Sequence, residues 1–233
     1  MPTLAEIAES EQVVLFDSST IGLESFSQLI YHARKYADLD RKLLMSAQES
    51  LGEFLEGIGN ENTFTVEDAL KDFESLHNAI STKQGHLNAS QERLKPKYAT
   101  HGEQKQLVFK DIAKHTFRLL ELLRSKLYVP ESQDAYGALR ELITHLLPKS
   151  STSPSQKDMQ LYAAALYLST HQKMSVALVV RGREFENNLV LLINRLKTEE
   201  PTSFQSSNLA LYPIKLYANV RKQGHEMVYT THT

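Results

Sequence analysis

Two short apolar runs near opposite ends of the chain constrain the fold most strongly. Residues 12–16 contain the run Val-Val-Leu-Phe, and residues 175–182 contain Val-Ala-Leu-Val-Val, with no alternating polar positions within either run. Continuous apolar strands are typical of parallel sheets, whose two faces are both covered by helices. Helical patterns follow both runs, so the sequence predicts an α/β fold with right-handed crossovers between parallel strands.

Helical periodicity dominates the middle of the chain. Apolar residues recur at helical spacing within residues 65–80, 104–127 and 134–147, and Pro148 ends the last of these patterns. Residues 148–157 are rich in Pro and Ser and predict a linker. We therefore divide the chain into residues 1–59 as the first part of an α/β domain, 60–147 as a helical insertion, 148–157 as the linker, and 158–233 as the second part.

Three shorter elements complete the predicted order. Residues 42–45 are expected to form a second short strand, residues 46–58 a helix, and residues 209–218 a strand near the end. An alanine-rich helix is expected from residue 158 to residue 170, and another helix follows the strand predicted at 175–182.

Composition narrows the class of protein and its surroundings. The 233 residues include no cysteine, which excludes disulfides and thiolate metal sites and fits a reducing, cytoplasmic setting. The first residues lack the pattern of a secretory signal, and no apolar run approaches the ~20 residues that span a bilayer. We therefore expect a cytoplasmic protein without a membrane partner.

Charge is unevenly distributed along the chain. Residues 1–82 carry 5 basic and 15 acidic side chains, whereas residues 83–126 carry 10 basic and 4 acidic ones. An acidic segment followed by a basic one fits a cation site beside a surface for a polyanion. Two solvated helix faces of different composition would give the same pattern.

Acidic side chains stand where the predicted strands and helices meet. Asp17 directly follows the first apolar run, Asp158 opens the alanine-rich helix, and Glu184 follows the strand predicted at 175–182. Ligands of open parallel sheets bind beyond the carboxyl ends of the strands, so Asp17 and residues 181–184 are candidates for one site. Each acid also has a structural alternative, since it could cap a turn or lie in the first turn of a helix.

Details of the stretch VVLFDSST separate three families that place an aspartate after a first strand. Haloacid-dehalogenase-type phosphatases need a second aspartate where this chain has Ser19, and integrin-type metal sites need a hydroxyl residue where it has Ile21. The stretch resembles the opening of PIN-domain ribonucleases, in which a strand, an aspartate and small hydroxyl residues follow one another.

Further elements of the PIN resemblance follow in order, over roughly residues 12–58 and 155–220. Glu53, with Glu49 as its competitor, matches the acid in the helix after the second strand, and Asp158 in QKDMQLYAAALYLS matches the third acid. The family turn Thr-Asn-Asp-x-Asp-Phe corresponds here to VVRGREF, in which Gly182 occupies a position where aspartate is common.

The resemblance implies a PIN-like parallel sheet flanked by helices, interrupted by the helical insertion, and a metal-dependent endoribonuclease acting on single-stranded RNA. Asp17, Glu53 and Asp158 would bind Mg²⁺ or Mn²⁺, hard cations that prefer oxygen ligands. Glu184 would orient the attacking water as a fourth catalytic residue.

The partners expected from the sequence follow from the same assignment. Ser19, Arg181 and Arg183 would contact RNA, and the basic residues of the insertion could extend that surface. They are Lys105, Lys110, Lys114, Arg118, Arg124 and Lys126. The inserted helices could also receive a protein partner or a second copy of the chain.

The sequence also fits two functions other than a ribonuclease. Gly182 and the two arginines favour a catalytically degenerate PIN-like module that binds RNA or a protein partner. An unrelated helical interaction protein would also fit the long helical block. The histidines form no His-x-x-x-His pair with a neighbouring acid, and no Gly-rich phosphate loop is present.

Overall fold

The structure is a computed structural model of the 233-residue chain. It describes the residues that follow: 2–17, 20, 52, 55–91, 110, 113–114, 116–147, 154–180, 183–199, 212–219 and 225–231. No helix in these ranges is long and apolar enough to cross a bilayer.

A five-stranded sheet forms the centre of the fold. Its strands are β1 (Val13–Phe16), β2 (Thr63–Phe64), β3 (Val176–Val180), β4 (Ile214–Asn219) and β5 (His225–Thr230). Their order across the sheet is β2-β1-β3-β4-β5, and all neighbours are parallel except β4 and β5. The predicted α/β class with a mostly parallel sheet is therefore confirmed.

Both predicted apolar runs lie in the interior of this sheet. β1 and β3 pair in parallel over four residues, from Val13 opposite Val176 to Phe16 opposite Val179. Every residue of both strands is buried, at 5% exposure or less. The continuous apolar sequence thus reflects strands that are covered on both faces.

Five helices accompany the sheet in the described part of the chain. They are α1 (Leu4–Ser10), α2 (Glu67–Gln91), α3 (Gln133–Leu146), α4 (Gln156–Thr170) and α5 (Arg183–Glu199). Residues 55–58 and 116–125 are also helical. The start of α1 is fixed by a capping box between Thr3 and Glu6, and the start of α3 by the Ser132 side chain, which accepts a hydrogen bond from the Ala135 N–H.

α4 is buried on every side. All residues from 160 to 170 are buried, including the three consecutive alanines 163–165 at 0% exposure. The helix contacts β1 and β3 on one side and α2 and α3 on the other. Such a helix has no polar face because it lies inside the core rather than at its surface.

Residues of the predicted insertion belong to the same core as the sheet. Val66 and Ala69 of the α2 region, and Leu139 and Ile143 of α3, join the cluster that contains β1, β3 and α4. β2, within the range 60–147, was not predicted, and it pairs in parallel with β1. The segment assigned to a helical insertion therefore supplies an edge strand and a helical layer of the main domain.

Other predicted boundaries also change. Residues 156 and 157 form the first turn of α4, so the predicted linker ends earlier than residue 157. The predicted strand at 209–218 begins at Ile214 within the described part, and β5 was not predicted. The strand expected at 42–45 and most of the helix expected at 46–58 lie outside the described residues.

A buried carboxylate attaches α1 to the sheet. Glu11, at the end of α1, accepts hydrogen bonds from the Lys215 amino group at 2.9 and 3.0 Å and from the Tyr217 hydroxyl at 2.8 Å. Burial and the bond to Glu11 raise the pKa of Tyr217 to about 12. The buried charge is thus paired, as a stable core requires.

Replacing Tyr128 with phenylalanine is expected to stabilise the protein. Its hydroxyl is buried and has no hydrogen-bond partner among the described residues, while its ring packs against Phe64 and Tyr136. An unpaired buried hydroxyl costs ~1–3 kcal/mol, so Tyr128→Phe should raise the free energy of unfolding by about 1 kcal/mol in urea denaturation.

A matched tyrosine provides the control for that substitution. The Tyr162 hydroxyl donates to the Phe185 carbonyl at 3.0 Å, so Tyr162→Phe should lower the free energy of unfolding by about 1 kcal/mol. A loss of stability in Tyr128→Phe would show that its hydroxyl does bond a partner.

Candidate functional site at the carboxyl edge of the sheet

The strand order reverses between β1 and β3. From β1 the chain moves outward to β2 on one side, and then it returns past β1 to place β3 on the other side. In open parallel sheets, ligands bind at such a reversal, beyond the carboxyl ends of the two strands. The residue at the carboxyl end of β1 is Asp17.

Asp17 is buried at this position, with 5% of its surface exposed. Its backbone N–H donates to the Val179 carbonyl at 3.0 Å, which continues the pairing of β1 with β3. Its backbone carbonyl accepts from the Thr20 N–H at 3.0 Å. The turn after β1 is therefore held through the backbone of Asp17, while its carboxylate contacts another element.

The Asp17 carboxylate forms an ion pair with Lys157. The Asp17 Oδ1 and the Lys157 Nζ are 3.0 Å apart, and the Lys157 Nζ is also 3.0 Å from an oxygen of Asp72 on α2. The side chain of Lys157 is 20% exposed, against 50% for Asp72. Two carboxylates, one buried and one half exposed, thus converge on one ammonium group.

The protonation state of Lys157 follows from these contacts. Partial burial alone lowers its pKa, but the neighbouring carboxylates of Asp17 and Asp72 raise it by more, so the pKa lies above its ordinary value of 10.5. Lys157 is therefore a cation at neutral pH. We call the four residues Asp17, Asp72, Lys157 and Asp158 the carboxyl-edge site.

Asp158 is the third residue of α4 and belongs to a capping box. Its carboxylate accepts from the Ser155 N–H at 2.9 Å, and the Ser155 hydroxyl accepts from the Asp158 N–H at 3.1 Å. Asp158 therefore caps the start of α4, which is the structural role that the sequence also allowed for it. α4 places Asp158 next to Lys157, in the helical turn that contacts Asp17.

Neighbouring contacts hold the helices at this edge. The buried Gln160 side chain accepts from the Asp68 N–H at 3.0 Å and so joins α4 to the first turn of α2. The Tyr162 hydroxyl bonds the Phe185 carbonyl, and their rings lie 4.4 Å apart, which joins α4 to the first turn of α5. Three helices are therefore fixed around the end of β1.

The structure describes two of the remaining predicted site residues, Glu184 and Arg183. Glu184 lies exposed in the first turn of α5, the position that the helix dipole favours for an acid, and Arg183 begins that helix. Ser19, Glu53, Arg181 and Gly182 lie outside the described residues, as does Glu49. Within the described ranges, no group of three or more His, Cys, Asp or Glu side chains is arranged to hold a metal ion.

Sequence reasoning missed Lys157 and Asp72. Lys157 lay inside the predicted linker, and Asp72 lies on the exposed part of α2. One local feature could have identified Lys157, because a positive side chain in the first turn of a helix opposes the helix dipole. A lysine at that position is favoured when an acidic side chain lies beside it, as Asp17 and Asp72 do here.

These features define the class of the protein as an α/β protein with a buried aspartate at the carboxyl edge of a mostly parallel sheet. Comparison of the chain with models of protein families, with curated proteins and with solved structures finds no match. The chemistry of the carboxyl-edge site therefore carries the functional inference.

Proposed function

We propose that the protein is a PIN-like, metal-dependent endoribonuclease that cleaves single-stranded RNA at the carboxyl-edge site. One observation carries the proposal: a buried carboxylate, Asp17, stands where the strand order reverses and meets a cation there. A buried carboxylate is costly unless it is paired with a positive charge. A site of this kind is suited to hold a cation and, through it, a phosphate.

The donors at this site suit Mg²⁺ or Mn²⁺. Asp17 and Asp72 already direct carboxylate oxygens at one positive group, and such oxygens are the preferred ligands of both ions. We propose Asp17 as the main ligand, supported by Asp158 and Glu53. A bound ion would supply an activated water and charge neutralisation at the phosphate.

The other side chains near the carboxyl-edge site have distinct roles in the proposed reaction. Lys157 pairs with the buried Asp17 carboxylate and orients it, and its ammonium group can turn to a phosphate oxygen when a metal ion takes its place. Glu184 orients water, and Ser19, Arg181 and Arg183 bind the RNA backbone. These assignments place phosphate contacts around the end of β1 and the start of α5.

The described basic residues of the helical segment divide into two groups, and Lys105 lies outside the described residues. Lys110, Lys114 and Arg118 are exposed, so they can extend the RNA surface. Arg124 instead contacts Glu74 and Glu121, at 3.0 and 2.6 Å. Lys126 donates to the Asn60 carbonyl at 2.6 Å. The structural contacts of the last two residues make them weaker candidates for RNA binding.

A catalytically degenerate module that binds RNA or a protein partner is the second candidate. The observation in its favour is the ion pair between Asp17 and Lys157, since an ammonium group there neutralises the carboxylate without any metal. In that case the site is structural, and the exposed basic residues provide the function.

Cleavage of labelled single-stranded RNA in Mn²⁺ tests the proposal. We expect cleavage by the wild type, its loss on addition of chelator, and a decrease of more than ~100-fold in Asp17→Asn, because ligands contribute more than the ~10–100-fold of their supporting residues. Asp158→Asn should also lose activity. Asp134→Asn, which changes an exposed acid in the first turn of α3, should retain it.

The same experiment separates the two candidates. Salt-sensitive retention of RNA without cleavage by the wild type would favour the degenerate module. Equal cleavage by the wild type and Asp17→Asn would contradict the nuclease proposal. Thermal unfolding of each variant shows whether a loss of activity reflects a loss of fold.

A further inference from the structure

A concave region lies at the amino ends of the central strands, away from the carboxyl-edge site. It is a cavity of about 590 Å³ beside the amino ends of β1 and β3, and its lining includes Val13 and Met174. Asp17 stands at the other end of β1, about 13 Å from Val13 for four residues at ~3.3 Å each. None of Asp17, Asp72, Lys157 and Asp158 lines the cavity, so it is separate from the carboxyl-edge site. Its volume is within the ~300–1,000 Å³ of small-molecule sites.

Acidic and aromatic side chains line this amino-edge cavity together. Glu61 and Glu131 are exposed acids in its wall, and Phe64 and Tyr128 form an edge-to-face aromatic pair with ring centroids 6.2 Å apart. None of its described lining residues is Lys, Arg or His. Lys173 precedes Met174 in sequence, but it does not line the cavity.

Apolar side chains at the mouth of the cavity are unusually exposed. Val129 is 67% exposed and Met174 is 38% exposed, and both belong to the lining. Apolar surface beside two acids and two aromatic rings suits a ligand with an apolar body and a positive head group. Carboxylates attract the positive charge directly, and aromatic faces attract it through their quadrupoles.

We propose that the amino-edge cavity binds a small organic cation, an ammonium group attached to an apolar or aromatic body. The lining that favours such a cation disfavours phosphate, because it presents two negative groups and no positive one. The cavity is therefore not a continuation of the RNA surface. The inference does not rest on the nuclease proposal, since it uses different residues.

Titration with phenethylamine and two matched analogues tests this assignment. The methyl group of Met174 can be followed by NMR, with Met227 on β5, which lies outside the cavity, as an internal control. We expect a saturable shift of the Met174 signal with phenethylamine, and at least tenfold weaker binding of neutral 2-phenylethanol and anionic 3-phenylpropionate. Met227 should not shift.

Substitutions in the wall identify the groups responsible. The double variant Glu61→Gln and Glu131→Gln should weaken phenethylamine binding about tenfold or more, and Tyr128→Leu should weaken it also. Tyr128→Phe, which keeps an aromatic ring, and Glu141→Gln, an exposed acid on α3, should retain binding. Equal binding of the amine and the alcohol, or no saturable shift of Met174, would overturn the proposal.

Discussion

Lys157→Met is expected to lower the free energy of unfolding by about 3 kcal/mol. The substitution keeps the helix and most of the side-chain volume but leaves the buried Asp17 carboxylate without its ammonium partner at 3.0 Å. Removal of one member of a buried ion pair costs ~3–5 kcal/mol. We expect a loss at the lower end of this range because a fifth of the Lys157 side chain is exposed. Urea denaturation at pH 7 measures the loss.

The stabilisation by Lys157 should depend on pH in a defined direction. Because the native pKa of Lys157 is raised above 10.5, the ion pair contributes fully below pH 10.5 and weakens as the pH rises through the higher native pKa. The difference in unfolding free energy between the wild type and Lys157→Met should thus be constant from pH 7 to about pH 10 and shrink above it.

Two further variants control for the site as a whole. Asp72→Asn should change the free energy of unfolding by less than about 1 kcal/mol, because half of the Asp72 side chain is exposed. The double variant Asp17→Asn and Lys157→Met should recover stability relative to Lys157→Met alone, since the buried side chain at position 17 then carries no charge for Lys157 to neutralise. Additive losses in this double-mutant cycle would contradict the ion pair.

Lys157→Met also provides a second readout of the proposed metal site. If Asp17 binds Mn²⁺, loss of the competing ammonium should strengthen Mn²⁺ binding, and Mn²⁺ should then stabilise the variant more than the wild type. A stability loss without any effect of Mn²⁺ would support the degenerate module. The ion pair and the metal site are thereby tested separately.

Ala164→Leu is expected to lower the free energy of unfolding by about 3 kcal/mol. Ala164 is 0% exposed in α4, between the sheet and the layer formed by α2 and α3. A larger side chain at a closely packed position forces its neighbours off their rotamers, at a cost of ~1–3 kcal/mol or more. We expect the upper end of this range because three carbon atoms are added where α4 has no exposed side.

Ala138→Leu on α3 is the matched control. The same substitution is made in a helix, but at an exposed position, so the change should stay within about 0.5 kcal/mol. Similar denaturation midpoints for Ala164→Leu and the wild type would show that α4 has room on one side. That result would contradict its position inside the core.

The sequence predicted the elements whose patterns are local. Continuous apolar residues identified β1 and β3, and the alanine-rich run identified α4, because each pattern depends on residues within a few positions of one another. β2 was missed because it has only two residues and is defined by its pairing with β1. β5 was missed for a related reason, since its strand state depends on β4.

Asp17 was identified from sequence as the residue at the end of a buried strand, and its burial there agrees with that position. The sequence alone was enough for this position, because the buried apolar run ends at Phe16 and the next residue, Asp17, is polar. Only the tertiary structure decided which side chain Asp17 meets. Helix α4 and α2 bring Lys157 and Asp72 to it, and contacts between distant segments depend on packing, which no local pattern specifies.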